Sequence, residues 1–444
     1  MRWCISILCV YFIASAALSA AEITQADLNK LRAAAEQGNA AAQLDYAKAI
    51  SEKDYQAAHV WAQKAADQNL AEAWFWLGHN SIGDTLRYYV KAAELGHEDA
   101  LRYALDGALF RANNKTDLVL AKRLADLARK NRVDLGYGTE SMLLTVDRCV
   151  EAGKLQPPAA DLPSAEEKTR LSKQEGNCDA YQHGIDVAQD YTKYRKCLLS
   201  ESYVDNAGLA EIYANGWGVK RQPLLALSLV CHGSGVPAEL EGMVETLYTT
   251  REEPVLHKPF LFCDHVTSGM NGGICSARAE AVRQAERRKE IGALQAGWTE
   301  QQRKLFMSAF EKADIFWDTH SSEEQDMSGT ARASIAIAEH AELKEAFLTA
   351  IRGFEAGRFP AAGNFKQVDA ELNTIYRQIM AKEKPEQYGT VTKQGIRDTQ
   401  RKWLRYRDAF VKFALQRYPG KTADYWRNWL TVNRNAQLKV FLED

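Results

Sequence analysis

Sulfur, imidazole and paired carboxylates are the groups here that could do chemistry. Cys231 is followed by His232, and Cys263 by Asp264 and His265, so both places offer donors that could ligate a soft metal. Glu323 and Glu324 are adjacent acids of the type that cleave glycosidic bonds in pairs. They fall in an acid-dense run, residues 318–326, which reads as a solvated loop with His320 exposed in it. The chain has no His-Glu-x-x-His, no Gly-x-Ser-x-Gly and no glycine-rich phosphate cradle. The expectation is therefore no catalytic centre, no cofactor and no metal.

Cysteine chemistry depends on compartment. The chain opens Met1-Arg2-Trp3, continues through an apolar run to Leu18 and reaches Ser19-Ala20-Ala21. A positive start, a short apolar core and a small-residue exit form a secretory signal over residues 1–21. No later run approaches the ~18 apolar residues of a spanning helix, so no stable membrane insertion is expected. Two of the eight cysteines lie in that signal. Cys149, Cys178, Cys197, Cys231, Cys263 and Cys275 remain, an even number expected to form disulfides outside the cytosol, in a periplasmic or secreted protein. Six cysteines allow ~15 pairings. Cys263 with Cys275, around a loop rich in glycine (Gly269, Gly272, Gly273), is the best single choice.

Period-2 alternation is scarce, so the elements carrying these residues should be helices alone. Three segments repeat an Ala-Ala-acid helix end followed by Gly or Asn: 34–40, 65–71 and 92–98. Gly or Asn suits a helix terminus that turns left-handed, and spacings near 30 residues mark a repeat array. Alanines would let paired helices approach, with Trp61, Trp74, Trp76 and Tyr89 in the seams. Tyr181-Gln182-His183-Gly184 is echoed by Tyr213-Ala214-Asn215-Gly216-Trp217-Gly218-Val219. Together these segments resemble the SEL-like repeat, a relative of the tetratricopeptide repeat, with Tyr213, Gly216 and Gly218 in the turn. That resemblance implies an N-terminal α-solenoid over residues 22–150 and 178–250, binding proteins on its concave side. Residues 151–177, with Pro157, Pro158 and Pro163, read as a connecting segment, and another boundary lies at 251–259.

Helical character resumes beyond Cys275 and holds to the end. Three motifs follow in order: Asp369-Ala370-Glu371-Leu372-Asn373 with Tyr376, then Gln400 with Trp403, Tyr406, Arg407 and Asp408, then Leu430-Thr431 with Arg434. Leu372, Ile375, Tyr376 and Ile379 form one apolar stripe, and Trp403, Tyr406 and Phe410 another. Glu371, Arg407, Asp408 and Arg434 are left to lock helix register as polar pairs. The motifs resemble the lysozyme inhibitor LprI family of exported bacterial proteins. Gln302-Arg303-Lys304 and Ala341-Glu342-Leu343 look like a diverged first copy, giving a helical bundle over 259–444 duplicated as 263–350 and 365–444. From Phe365 on this chain has no cysteine, where family members commonly do.

The resemblance implies an envelope protein that binds and restrains lysozyme or another muramidase. A cationic enzyme would call for acid, and Glu311, Asp314, Asp318, Glu323, Glu324 and Asp326 would supply it. Residues 366–444 hold 16 Lys/Arg against 9 Asp/Glu, and that +7 would repel the same enzyme. The basic residues are spread among acids and apolar positions, so no nucleic-acid partner is implied. The alternative is a periplasmic scaffold whose repeats bind envelope proteins. A cell-wall enzyme is the third, least supported reading.

Overall fold

The computed structural model describes residues 24–442 apart from 84, 110–115, 137, 173–177, 202–204, 234–235 and 383–388. The expected signal segment lies outside the described residues. Among the described residues the chain is all-α, with 20 helices and no strand. No helix among them is long and apolar enough to cross a membrane. The chain divides into two compact units, the second made up mainly of the residues from Asp147 onward.

The first unit holds α1 (Gln25–Glu36), α2 (Ala40–Ile50), α3 (Tyr55–Ala66), α4 (Ala71–Asn80), α5 (Leu86–Glu94), α6 (Glu98–Leu109) and α7 (Leu118–Asn131). Thr24, Asn39, Asp54 and Asp117 start helices by accepting a first-turn N–H on the side chain. Gly38, Asn69 and Gly96 take positive φ (89°, 63° and 94°) at the three repeated helix ends. Each helix packs on the next in sequence. Fully buried Ala47, Ala58, Ala62, Ala73, Ala100 and Ala104 permit that close approach, while Trp61, Trp74 and Trp76 pack half-buried around the core.

Beyond α8 (Thr139–Ala152) come α9 (Ala165–Ser172), α10 (Cys178–His183), α11 (Tyr191–Leu198), α12 (Asn206–Asn215), α13 (Pro223–Cys231) and α14 (Pro237–Thr249). The two tyrosine-led turns have the same construction. Asp190 N–H donates to the Tyr181 carbonyl (2.9 Å), and Gln222 N–H to that of Tyr213 (2.8 Å). Gly184 and Gly216 both have positive φ, and at Gly216 a Cβ would also crowd the backbone five residues on. The proline-rich segment is docked. Asp161 accepts from the buried Tyr213 hydroxyl (3.0 Å) and pairs with Arg195 (3.1 Å). Disulfides join Cys149 to Cys231, Cys178 to Cys197 and Cys263 to Cys275.

The rest of the second unit is α15 (Gly269–Leu294), α16 (Glu300–Glu323), α17 (Arg332–Glu355), α18 (Phe365–Ala381), α19 (Lys393–Arg417) and α20 (Ala423–Lys439). α16 packs along α19, α15 on α17 and α18 on α20. The glycines before Cys275 are not the flexible loop expected. Ser268 caps a helix that begins at Gly269. A Cβ on Gly269 or Gly273 would collide with Thr330 or Ala333, so these glycines serve close packing.

The chain entering this bundle is held by polar side chains of α12 and α14. Asn215 exchanges two hydrogen bonds with the Phe260 backbone (both 2.8 Å), and Glu211 accepts from Phe262 N–H (2.7 Å). Glu239, fully buried, accepts from Thr267 N–H, Ser268 N–H and the Asn271 amide. Burial alone would raise the Glu239 pKa, but those donors outweigh it and hold the carboxylate ionised. Replacing Glu239→Leu strands these donors and should cost roughly 3 kcal/mol, measured as a lower urea midpoint; an unchanged midpoint would refute the clamp.

Candidate functional site

α16 carries the polar centre of the bundle. Thr299 and Gln302 form a capping box that starts it, and no Gly or Pro follows until Gly329. Phe306, Ala309, Ala313, Phe316, Trp317 and His320 recur at helical spacing and are buried. The helix therefore continues to Glu323, through the first two-thirds of the stretch expected to be a solvated loop. Continuing the inward stripe places His320 and Glu324 in the core and leaves Asp318 and Glu323 exposed. The expectation of an exposed His320 is corrected on that ground.

Glu324 meets Arg434 of α20, and neither side chain has any solvent exposure. The pair is bidentate, with Arg434 Nη2 donating to Oε1 (2.6 Å) and Nη1 to Oε2 (2.7 Å). Arg434 Nε donates to Gln400 Oε1 on α19 (2.9 Å), and the guanidinium lies 5.5 Å from the Phe316 ring centre. His320 completes the network, with Nδ1 at 2.6 Å from Glu324 and Nε2 at 3.2 Å from Glu339 on α17. Four helices thus meet at one charged cluster.

The electrostatics are cooperative. Burial disfavours both charged forms. For Glu324 the charge and hydrogen bonds of Arg434 outweigh it, so its pKa lies below the usual carboxylate value. For His320 the bonds to Glu324 and Glu339 outweigh it and raise the pKa. An imidazolium donates from both nitrogens, and each one here faces a carboxylate.

The other motif residues have simpler roles. Arg407 pairs with Asp369 (3.3 Å) across α19 and α18 and lies over the Trp403 ring (4.9 Å). Glu371 takes Lys439 (2.7 Å) and the Asn435 amide (3.1 Å) from α20. Leu372, Trp403 and Tyr406 are core, and Tyr376 is half-buried against it. Asn373 bonds back to the Asp369 carbonyl within α18. Asp408 stands apart at 64% exposed, with only its neighbour Arg407 at 3.9 Å among the described residues. Arg434, Arg407 and Glu371 do join helices, but Arg434's acid lies outside the three motifs.

A cleft of about 100 Å³ beside Arg434 is lined mainly by Trp317, Phe347, Trp403, Tyr406 and Leu430. Arg434 faces it with its guanidinium already engaged, so the cleft is an apolar notch rather than an anion site. Cys231 and Cys263 are oxidised, which removes both candidate metal sulfurs. No group of three or more metal-type ligands occurs among the described residues. Of the acids expected to face a cationic partner, Glu324 is buried and Asp314 is held by Lys344 (2.9 Å) and His340 (3.0 Å). Asp326 accepts from the backbone of Ser328 and Thr390. Glu311, Asp318 and Glu323 remain exposed.

Residues 358–437 match the family model described as lysozyme inhibitor LprI. The match begins at α18's approach and ends at Gln437 of α20, so Arg434 lies inside it and Glu324 outside. No curated protein and no solved structure is significantly similar to the chain.

Replacing Glu324→Gln leaves a buried guanidinium without its countercharge and should cost about 3–5 kcal/mol of stability. Combining Glu324→Leu with Arg434→Met should recover most of it in the same denaturation assay; a double variant no better than the single would rule out that account. His320 has a folded pKa above its unfolded value. Its contribution is therefore complete below about pH 6.5 and fades as pH rises through the higher folded value. Melting temperatures from pH 5 to 9 should show that decline, and His320→Gln should flatten it.

Proposed function

We propose that this chain is exported and binds protein partners in the cell envelope, and that its C-terminal helices restrain a lysozyme or related muramidase. The match of residues 358–437 to the lysozyme inhibitor family carries the reading. Export is supported by the residue pattern at the start of the chain and by three disulfides, which persist in oxidising compartments. Asp408 is the motif residue that the bundle does not use, and its exposed carboxylate suits a cationic enzyme. The similar packing of α15 on α17 and of α18 on α20 supports a duplicated bundle.

The second reading is a scaffold. Most motif residues are engaged by the bundle itself, which favours structural roles for them. The first unit also presents a contiguous set of rings. Tyr89 stacks on Tyr103 (5.1 Å), and His79 and Phe75 pack at their edges (His79–Tyr103 4.8 Å, Phe75–His79 4.5 Å). Partly exposed aromatics of this kind are the side chains that anchor protein interfaces. The left-handed turns at Gly38, Asn69 and Gly96 support a SEL-like repeat there.

The assay calls for the whole mature chain, because cutting near residue 259 would remove the α12 and α14 clamps. Added to a muramidase digesting cell walls, the chain should slow the release of fragments. Asp408→Asn should weaken inhibition by about fivefold, the equivalent of 1 kcal/mol, with an unchanged melting temperature. No slowing at large molar excess would eliminate the inhibitor and leave the scaffold. Fragment release by the chain alone would indicate an enzyme.

A further inference from the structure

The excess positive charge of residues 366–444 is not absorbed by the ion pairs that hold the bundle. On α19, Lys393, Arg397, Arg401 and Arg405 recur every four residues, and Lys412 follows on the same side. Four residues advance a helix by about 6 Å and turn it by about 40°, so these cations form a row that winds by about 120° along the outer side. Trp403, Tyr406 and Phe410 occupy the opposite, buried face. Arg401, Arg405 and Lys412 are exposed, and Lys393 and Arg397 are half-buried.

The row is available. Lys393, Arg405 and Lys412 make no side-chain hydrogen bond or ion pair among the described residues. Arg397 donates to Gln394 (2.7 Å), leaving its charge unpaired. Arg401 meets Asp398 one turn earlier (3.1 Å), an exposed pair of the kind worth under about 1 kcal/mol. Asp408 is the one other acid exposed on this face.

The surroundings narrow the partner. No aromatic ring is exposed on this face of α19, so there is nothing for nucleic-acid bases to stack on. Its exposed apolar side chains, Leu404 and Leu415, are eleven residues apart, too few and too scattered to enter a lipid interface. A line of cations with little apolar or stacking surface complements a line of anions. We propose that the outer face of α19 binds a linear phosphate-bearing polymer without nucleobases, with its phosphates lying along the row from Lys393 to Arg405. This inference does not rest on muramidase binding, with which it would compete because Asp408 lies on the same face, and it gives the unpaired charge a partner that a cationic enzyme cannot be.

The test titrates inorganic polyphosphate into the full mature chain between 50 and 200 mM salt. Binding should weaken linearly in a plot of log K against log salt. The combined variant Arg397→Gln, Arg401→Gln, Arg405→Gln should lose at least about tenfold in affinity at 50 mM and make the slope shallower by about 2, at about 0.7 per phosphate contact. Its melting temperature should match the parent's. A control that removes equal charge from exposed Lys30, Lys53 and Lys130 of the first unit (each Lys→Gln) should bind as the parent does. The proposal is overturned if the row variant binds like the parent, or if the control loses as much as the row variant. It is equally overturned if phosphatidylglycerol vesicles or oligothymidylate bind more tightly than polyphosphate at equal phosphate concentration.

Discussion

Burying one guanidinium constrains most of the C-terminal bundle. Arg434 can sit at zero exposure only because Glu324 offers two oxygens, Gln400 a third acceptor and Phe316 a ring face. Those partners come from the end of α16 and from α19, so both helices must share one register with α20, which carries Arg434. A slip of a single turn would leave a charge in an apolar medium, which costs more than any nearby packing contact returns. Aromatic packing supplies bulk stability here, but rings accept many geometries. The charged cluster admits one.

Much of the architecture follows from local signals. Helix starts at Thr299, Thr392 and Thr422, and left-handed ends at Gly38, Asn69 and Gly96, depend on groups a few residues apart. Those groups are visible in a linear reading. The same holds for Leu372, Trp403 and Tyr406, whose spacing alone points them inward. The acid opposite Arg434 is another matter. It lies 110 residues away, in a stretch whose composition suggested solvent. What could have revealed it is phase: His320 and Glu324 continue the stripe of Phe306, Ala309, Ala313 and Phe316. Composition averaged over the run concealed a property that belongs to every third or fourth position.

The lead-in to the bundle shows a second limit. Prolines and glycines around residues 254–273 suggested a domain boundary and a pliable loop. Instead, Asn215, Glu211 and Glu239 fasten the backbone of that segment, and its glycines let α15 lie against the start of α17. Small residues allow either freedom or intimacy. Only the neighbours, distant in sequence, decide between them.

The cysteine bridges also bear on how the chain comes to be made. Cys149 joins Cys231 across 82 residues, and the Cys178–Cys197 bridge lies wholly inside that span. A chain that reaches an oxidising compartment amino end first presents Cys149, then Cys178 and Cys197, and only later Cys231. Pairing in order of arrival would join Cys149 to Cys178 and trap the wrong topology. The native arrangement therefore asks either that Cys149 stay reduced until the last partner emerges or that a thiol exchanger rewrite the early bond, making maturation of this unit a matter of sulfur traffic as much as of helix packing.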